Sequence, residues 1–307
     1  MFDELIYKLQ NDKYRTLETT PTFSASVNNI LKSVGDLQLH TLVDGFTTTD
    51  NPLAKLKYGA IFGAIKLQQE FGKPVIATVS MRDRNKIGLQ SDLLGANDFD
   101  IRAFLALTGD SAKISDQPNT VGVFEGDSTL LLDIVKCFNS GINYAGKPFK
   151  EEDKPKPIYP FAVVNSYAKK QKNLLKKMVK KIEHNSVGVI TQPVYDITQT
   201  KQLLALFEEA KGLSRCDRPK AQLILGFFPL TRFRTAQFLS AHVPGIYVPE
   251  SWLDRLRKAS LISEEEEEKV GLELSLGLYR DLMSIHPKIH IMTANKFDLA
   301  KTVLESV

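Results

Sequence analysis

The stretch RAFLALTGD, Arg102 to Asp110, is an apolar run too brief to cross a bilayer, and it stops abruptly at a glycine and an aspartate. Such a run reads as a buried strand. The acidic residue at its end is either turning into solvent or being delivered to a site. The same rhythm extends along the whole chain in both directions. Strands are expected at 15–19, 39–44, 74–80, 102–107, 159–164, 187–191, 222–227 and 288–292. Helical periodicity follows them, as at 23–34, 52–71, 127–138, 166–184, 197–211 and in the terminal ANKFDLAKTVLES. Eight strand–helix repeats without a long antiparallel stretch predict one closed (β/α)8 barrel over 1–307, a single α/β domain, with a doubly wound open sheet as the alternative.

Bulk composition agrees with a globular protein. Of 307 residues, 43% are hydrophobic and 25% charged, and the net charge is a mild +4. There is no apolar run of about 18 residues and no apolar leader segment, so no membrane span is expected and a cytoplasmic location is. Cys137 and Cys216 stand alone, which argues against a disulfide framework or a zinc site, and no metal is expected. The lysines of KKQKNLLKKMVKKIEH (169–184) lie opposite an apolar stripe of Leu174, Leu175, Met178, Val179 and Ile182. They read as a solvated helix face rather than a nucleic-acid surface. The acidic run Glu264–Glu268 follows Ser263 with the spacing of a capping box. GKPFKEEDKPKP (146–157) reads as a surface connection.

In a barrel, chemistry belongs at the C-terminal ends of the strands. Taken in order, those ends offer Glu18, Asp44, Ser80, Asp110, Asn165, Gln192, the FFPLTRF segment, and Thr293 with Asn295. GINYAGKP (141–148) begins like a phosphate-binding loop, but Pro148 stands where a magnesium-binding hydroxyl belongs, so a plain turn is expected. No G-x-G-x-x-G occurs. The histidines His184, His242, His286 and His290 read as structural or surface residues. Two carboxylates (Glu18, Asp110), a carboxamide (Gln192) and an aromatic (Phe233) on separate strands suit proton transfer to a flat heterocycle better than ester hydrolysis. Arg82, Asp83 and Arg84 read as structural loop charges or as contacts to a bound ring, with both readings open.

SMRDRNKIGLQSDLLGANDFDIRAFLALTGD (80–110) followed by VGVFEGDS resembles the central part of the 5,10-methylenetetrahydrofolate reductases. It is most similar to the version fused to a bacterial homocysteine methyltransferase. ITQPVYD (190–196), GFFPLTRFRTAQFL (226–239), VPGIYVPE (243–250) and IHIMTANK (289–296) continue the likeness in the same order. The resemblance implies a (β/α)8 flavoprotein of one-carbon and methionine metabolism. It implies that FAD passes hydride from NAD(P)H to methylenetetrahydrofolate, giving the methyl form.

By matching motif, the resemblance makes Glu18 the general acid and sets Asp110 between flavin and folate. It also places Gln192 on the pterin edge, Phe233 on the bound nicotinamide or folate ring, and Lys296 near the substrate. Thr108, Gly109, Ser80 and Lys181 would line the flavin site, with Lys181 near the phosphates. A homo-oligomer is implied. Alternatives are a related C1-pterin reductase fed by an electron-donor or methyltransferase partner protein, and an inactive barrel serving as a subunit. The chain departs from the family at Thr19, Thr20 and Thr22, at TVSM on the third strand, at HNS (184–186) and at Lys296, where an arginine is usual.

Overall fold

The computed structural model describes residues 1–216, 220–243 and 245–307. Eight parallel strands close on themselves in sequence order: β1 (Tyr14–Thr19), β2 (Gly45–Thr48), β3 (Val75–Ser80), β4 (Ala103–Leu107), β5 (Tyr159–Val164), β6 (Gly188–Pro193), β7 (Gln222–Phe227) and β8 (Lys288–Ile291). The seam is the pairing of β1 with β8, where Thr16 stands opposite His290. The barrel expected from the alternation is therefore the fold.

Side-chain alternation along each strand divides the core in two, because successive residues of a strand point to opposite faces. Leu17, Phe46, Val75, Ala77, Val79, Phe104, Ala106, Val189, Leu225 and Ile291 face outward, into one continuous apolar layer beneath the helices. Tyr14, Ile76, Ala103, Leu105, Phe161, Ile190 and Ile224 face inward and fill the barrel's interior. The helix α1 (Phe2–Asn11) closes its N-terminal end, burying Phe2, Leu5 and Leu9 in that same inner cluster. The next inward positions, two residues further along several strands, are polar or open to solvent, and there the site begins.

The other helices are α2 (Asn28–Asp36), α3 (Leu39–Leu42), α4 (Ala60–Phe71), α5 (Lys86–Asp98), α6 (Ser128–Asn139), α7 (Gln171–Glu183), α8 (Ile197–Leu213), α9 (Phe233–His242), α10 (Glu250–Ser260), α11 (Glu264–Ile285) and α12 (Phe297–Leu304). As its acidic first turn predicts, α11 is capped by Ser263, whose hydroxyl accepts from the Glu266 N–H. The lysine-rich segment forms α7, burying Leu174, Met178 and Ile182.

One expected strand is wrong. LHTLVD (39–44) is not β2: Leu39–Leu42 form a helical turn, and the strand is the following GFTT. The i, i+4 pair Leu39 and Val43 is buried, so helical spacing rather than alternation governs the segment. The strand begins at Gly45 because any Cβ there would stand 2.7 Å from the Pro74 carbonyl oxygen. As a result Asp44 lies at the N-terminal end of β2, opposite the site. There it accepts from Lys8 Nζ and from the Arg15 N–H, each at 2.8 Å, which clamps α1 to the base of the barrel. Helices expected at 23–34, 52–71 and 166–184 begin later, at Asn28, Ala60 and Gln171, because extended loops at the barrel mouth take up their first residues.

Candidate active site

A cavity of about 690 Å³ opens at the C-terminal mouth of the barrel. Leu105, Leu107, Val163 and Ile190 form its apolar floor, and Glu18, Thr78, Ser80, Asn165, Gln192 and His290 its polar wall. Each of these belongs to, or immediately follows, one of six strands: β1, β3, β4, β5, β6 and β8. The loop after β4 adds Thr108, Gly109 and Asp110 to the rim, and Lys181 closes one end. Glu18, Ser80, Thr108, Gly109, Asp110, Lys181 and Gln192 are thus brought together as the sequence led one to expect. Phe233 and Lys296 are not in the wall. Phe233 begins α9 and packs against the outer core, its N–H donating to Glu267 Oε1 at 2.6 Å. Lys296 is exposed at the start of α12.

Glu18 has a neighbour that sequence reasoning passed over. Thr16 and Glu18 are two residues apart on β1 and so share its inner face, toward β8. His290 lies across the seam, almost fully buried. One ring nitrogen, Nδ1, is hydrogen-bonded to Thr16 Oγ1 at 2.9 Å, and the other, Nε2, stands 3.8 Å from Glu18 Oε2. Read as a surface or structural histidine, His290 is instead part of the cavity wall. It shares its inward parity with Met292, two residues on, which also lines the cavity.

The other strand ends are positioned by backbone devices. The β6–β7 register shifts between Ile190 and Pro193, and Gln192, inside that irregular stretch, lines the cavity. Gly226 lets β7 pass close beneath it, since a Cβ there would strike the Thr191 carbonyl oxygen. Gly109 has φ +91°, a conformation open to glycine, and its missing side chain leaves room for Ser80 and Arg82. The turn it makes presents Asp110 at the rim, where Oδ2 accepts from the Leu53 N–H at 2.7 Å. The buried strand quoted at the outset does deliver its carboxylate to the cavity.

Two further polar atoms, Thr49 Oγ1 and Asp50 Oδ1, are buried and have no hydrogen-bond partner among the described residues, although both residues line the cavity. The second oxygen of Asp50 is taken by the Ser80 N–H and by Arg84 Nη1, at 2.9 and 2.6 Å. Buried polar groups are ordinarily satisfied, and these two, on residues of the cavity wall, are exceptions.

At the opposite end the cavity reaches the N-terminus of α6, where Asp127, Ser128, Lys177, Lys180 and Lys181 meet. Lys181 Nζ donates to Ser128 Oγ, and Lys180 pairs with Asp127 at 2.8 Å. Burial alone would raise the Asp127 carboxyl, but Lys180, the Thr129 hydroxyl and the Thr129 N–H together hold it well below the usual carboxylate range. Burial lowers the Lys181 ammonium, against the pull of Asp127. Cations beside a helix N-terminus make an anion site. The lysines beyond Lys181 were read only as solvated, and nothing in their spacing marked which of them turn towards the mouth.

With this geometry in view, comparison with known proteins is direct. The family model described as methylenetetrahydrofolate reductase matches residues 7–307. No curated protein matches the chain. Among solved structures, an uncharacterised protein from Clostridium thermocellum, described as binding two copies of 5-methyl-5,6,7,8-tetrahydrofolic acid, superposes with a TM-score of 0.63 at 14% identity, covering 100% of this chain and 99% of that one. The EDTA monooxygenase EmoA from Chelativorans sp. BNC1 gives 0.57 at 10% identity, covering 96% and 92%. DmoA from Hyphomicrobium sulfonivorans gives 0.59 at 8% identity, covering 95% and 86%. At such identities the likeness is one of fold. Among the described residues no helix is long and apolar enough to cross a membrane.

Proposed function

The chain belongs to the methylenetetrahydrofolate reductase family, and from that premise we propose that it reduces 5,10-methylenetetrahydrofolate to 5-methyltetrahydrofolate with hydride from NAD(P)H, using FAD. The observation that carries this reading is the convergence of Glu18, backed by His290 and Thr16, with Asp110 and Gln192 around one apolar-floored cavity.

The residues present fit FAD. The flat apolar floor and the unpaired Thr49 Oγ1 and Asp50 Oδ1 suit a ring system with a polar edge, while Lys177, Lys181 and the start of α6 suit a pyrophosphate. Bound there, FAD would supply the two-electron relay between dihydronicotinamide and the folate. The folate class is in keeping with the C. thermocellum neighbour, whose described ligand is a methylated tetrahydrofolate.

The protein's own part is proton placement and orientation. Glu18 would give a proton to the folate's bridging N10, so that the C–N10 bond breaks and the methylene carbon becomes an iminium on N5. Hydride adds far more readily to that electrophile than to the closed aminal. One hydride from NAD(P)H and this one proton balance the conversion of methylene to methyl. His290, oriented by Thr16, would hold the Glu18 carboxyl toward the substrate and hand a proton back to it. Gln192 can donate and accept in one plane, which matches an aminopyrimidinone edge. Asp110 at the rim would bear on the same ring. Phe233 and Lys296 lie outside the cavity wall, and this reading assigns them no step.

The test is steady-state oxidation of NADH or NADPH by methylenetetrahydrofolate with FAD present. Turnover that depends on the folate supports the reading. Absence of turnover with either nucleotide, in protein shown to have taken up FAD, would count against it.

A further inference from the structure

Arg82 is a buried cation to which the proton chemistry above gives no role. Its side chain is 2% exposed, yet it lines the cavity. The guanidinium is gripped from one side only. Nε and Nη2 donate to the two carboxylate oxygens of Asp83 at 2.7 and 2.6 Å, and Nη2 also donates to the Asn51 carbonyl at 3.1 Å. Nη1 has no acceptor among the described residues, which leaves two N–H donors of the fork without a protein partner. The backbone is equally fixed: the Arg82 N–H donates to Ser80 Oγ at 3.1 Å and its carbonyl accepts from Val123 N–H at 2.7 Å. The Gly109–Asp110 turn passes directly over it, since a Cβ on Gly109 would stand 3.1 Å from the Arg82 Cβ.

A charge held so far from water carries a large desolvation cost, and a single carboxylate fork satisfies only part of it. Asp83, which supplies that fork, is not in the cavity wall, whereas Arg82 is. Of the ion pair only Arg82 contributes to the cavity wall, so a group that meets its unpartnered Nη1 from the cavity must be a hydrogen-bond acceptor or an anion. The Asp83 fork, together with the charges of Asp83, Asp50 and Asp110, holds the guanidinium above its usual range, so it stays charged at any working pH.

Resting on the reading that FAD occupies this cavity, we propose that Arg82 is a redox-tuning residue that stabilises the negative charge borne by the flavin ring after two-electron reduction. A flavin held here would, after taking up two electrons and one proton as hydride, carry negative charge along its N1–C2 carbonyl edge, an acceptor of the kind Arg82 requires. The arginine thereby offsets Asp110, whose carboxylate on the same rim disfavours that anion. Asp83 is its positioning residue.

The experiment compares the affinities of the protein for oxidised and for reduced FAD, and records the absorption of the reduced form, which distinguishes anionic from neutral flavin. Arg82→Gln is expected to weaken binding of reduced flavin at least tenfold more than that of oxidised flavin, a fall of about 30 mV in midpoint potential. Arg82→Lys, which keeps the charge, should restore most of that ratio. If Arg82→Gln does not fold because Asp83 is left unpaired, Arg82→Gln/Asp83→Asn replaces the pair with neutral groups and is expected to shift the ratio in the same direction. Equal weakening of both forms, or an unchanged ratio and spectrum in the folded variants, would make Arg82 a purely structural residue and overturn the proposal. A wild-type protein that takes up no flavin would overturn the flavin reading itself, and this inference with it; that result is distinct from bound flavin with an unaltered potential.

Discussion

His290 Nε2 lies 3.8 Å from Glu18 Oε2 across the β1–β8 seam, and the same ring is held from behind by Thr16 Oγ1 at 2.9 Å. A carboxyl backed by an oriented imidazole is a group set to move a proton, and it stands above an apolar floor wide enough for a flat ring. Replacing Glu18 with glutamine keeps the shape and removes the proton. Reduction of methylenetetrahydrofolate is expected to fall by about 10²–10⁴-fold, while reduction of bound flavin by NAD(P)H, which needs no acid, persists. Stopped-flow measurement of the two half-reactions separates them.

Thr16→Val tests the support behind that acid. The hydroxyl is buried and hydrogen-bonds the imidazole. Losing it frees the ring to rotate, and a misplacement of about 1 Å can lower kcat by as much as about 100-fold. The loss should fall on kcat, with KM for the folate little changed. An equal rise in KM would mean that the pair binds the substrate rather than positions the acid.

Gly109→Ala tests the turn that presents Asp110. At φ +91° an alanine is strained, and its Cβ would run into Ser80 and Arg82. The expected cost is about 1–3 kcal/mol of stability, read by denaturant unfolding. The affinity for flavin should fall with it. Gly72→Ala, also at positive φ but with open space around the Cβ, should cost stability without touching the site.

The barrel and the rim were legible in the sequence because inward parity is a local property. LTGD, ITQP and LETT each end a buried run with a polar residue, and the structure places Asp110, Gln192 and Glu18 around one cavity. Two features were not legible. β2 was misplaced because Leu39 and Val43 satisfy a helical turn as well as an alternating strand, and only the approach of Pro74 to Gly45 decides between them. The part of His290, read as structural or surface, and the choice between the two readings of Arg82 depend on pairing across the seam and on a loop folding over the arginine. Both are contacts between residues far apart in the chain.

The acid side of the stability curve gives a further test. Asp127 is held below its usual range in the folded protein, so its contribution is complete above the unfolded value, about 3.9, and is lost as pH falls through that value toward the folded one. Asp127→Asn should therefore destabilise the protein at neutral pH, and the difference from wild type should shrink as pH falls below about 4. Asp127 is half-exposed, so the effect is at most about 1 kcal/mol. A difference that stays constant across that range would place the contribution in the hydrogen bonds to Thr129 rather than in the charge.

The most direct test of the central claim is the visible absorption spectrum of the purified, FAD-supplied protein, followed without air through two additions. The account predicts a two-banded flavin spectrum that bleaches on adding excess NADH or NADPH. After the nucleotide is removed, methylenetetrahydrofolate should restore the colour. A protein that remains colourless after exposure to FAD, or a bleached flavin that the folate leaves reduced, would contradict it.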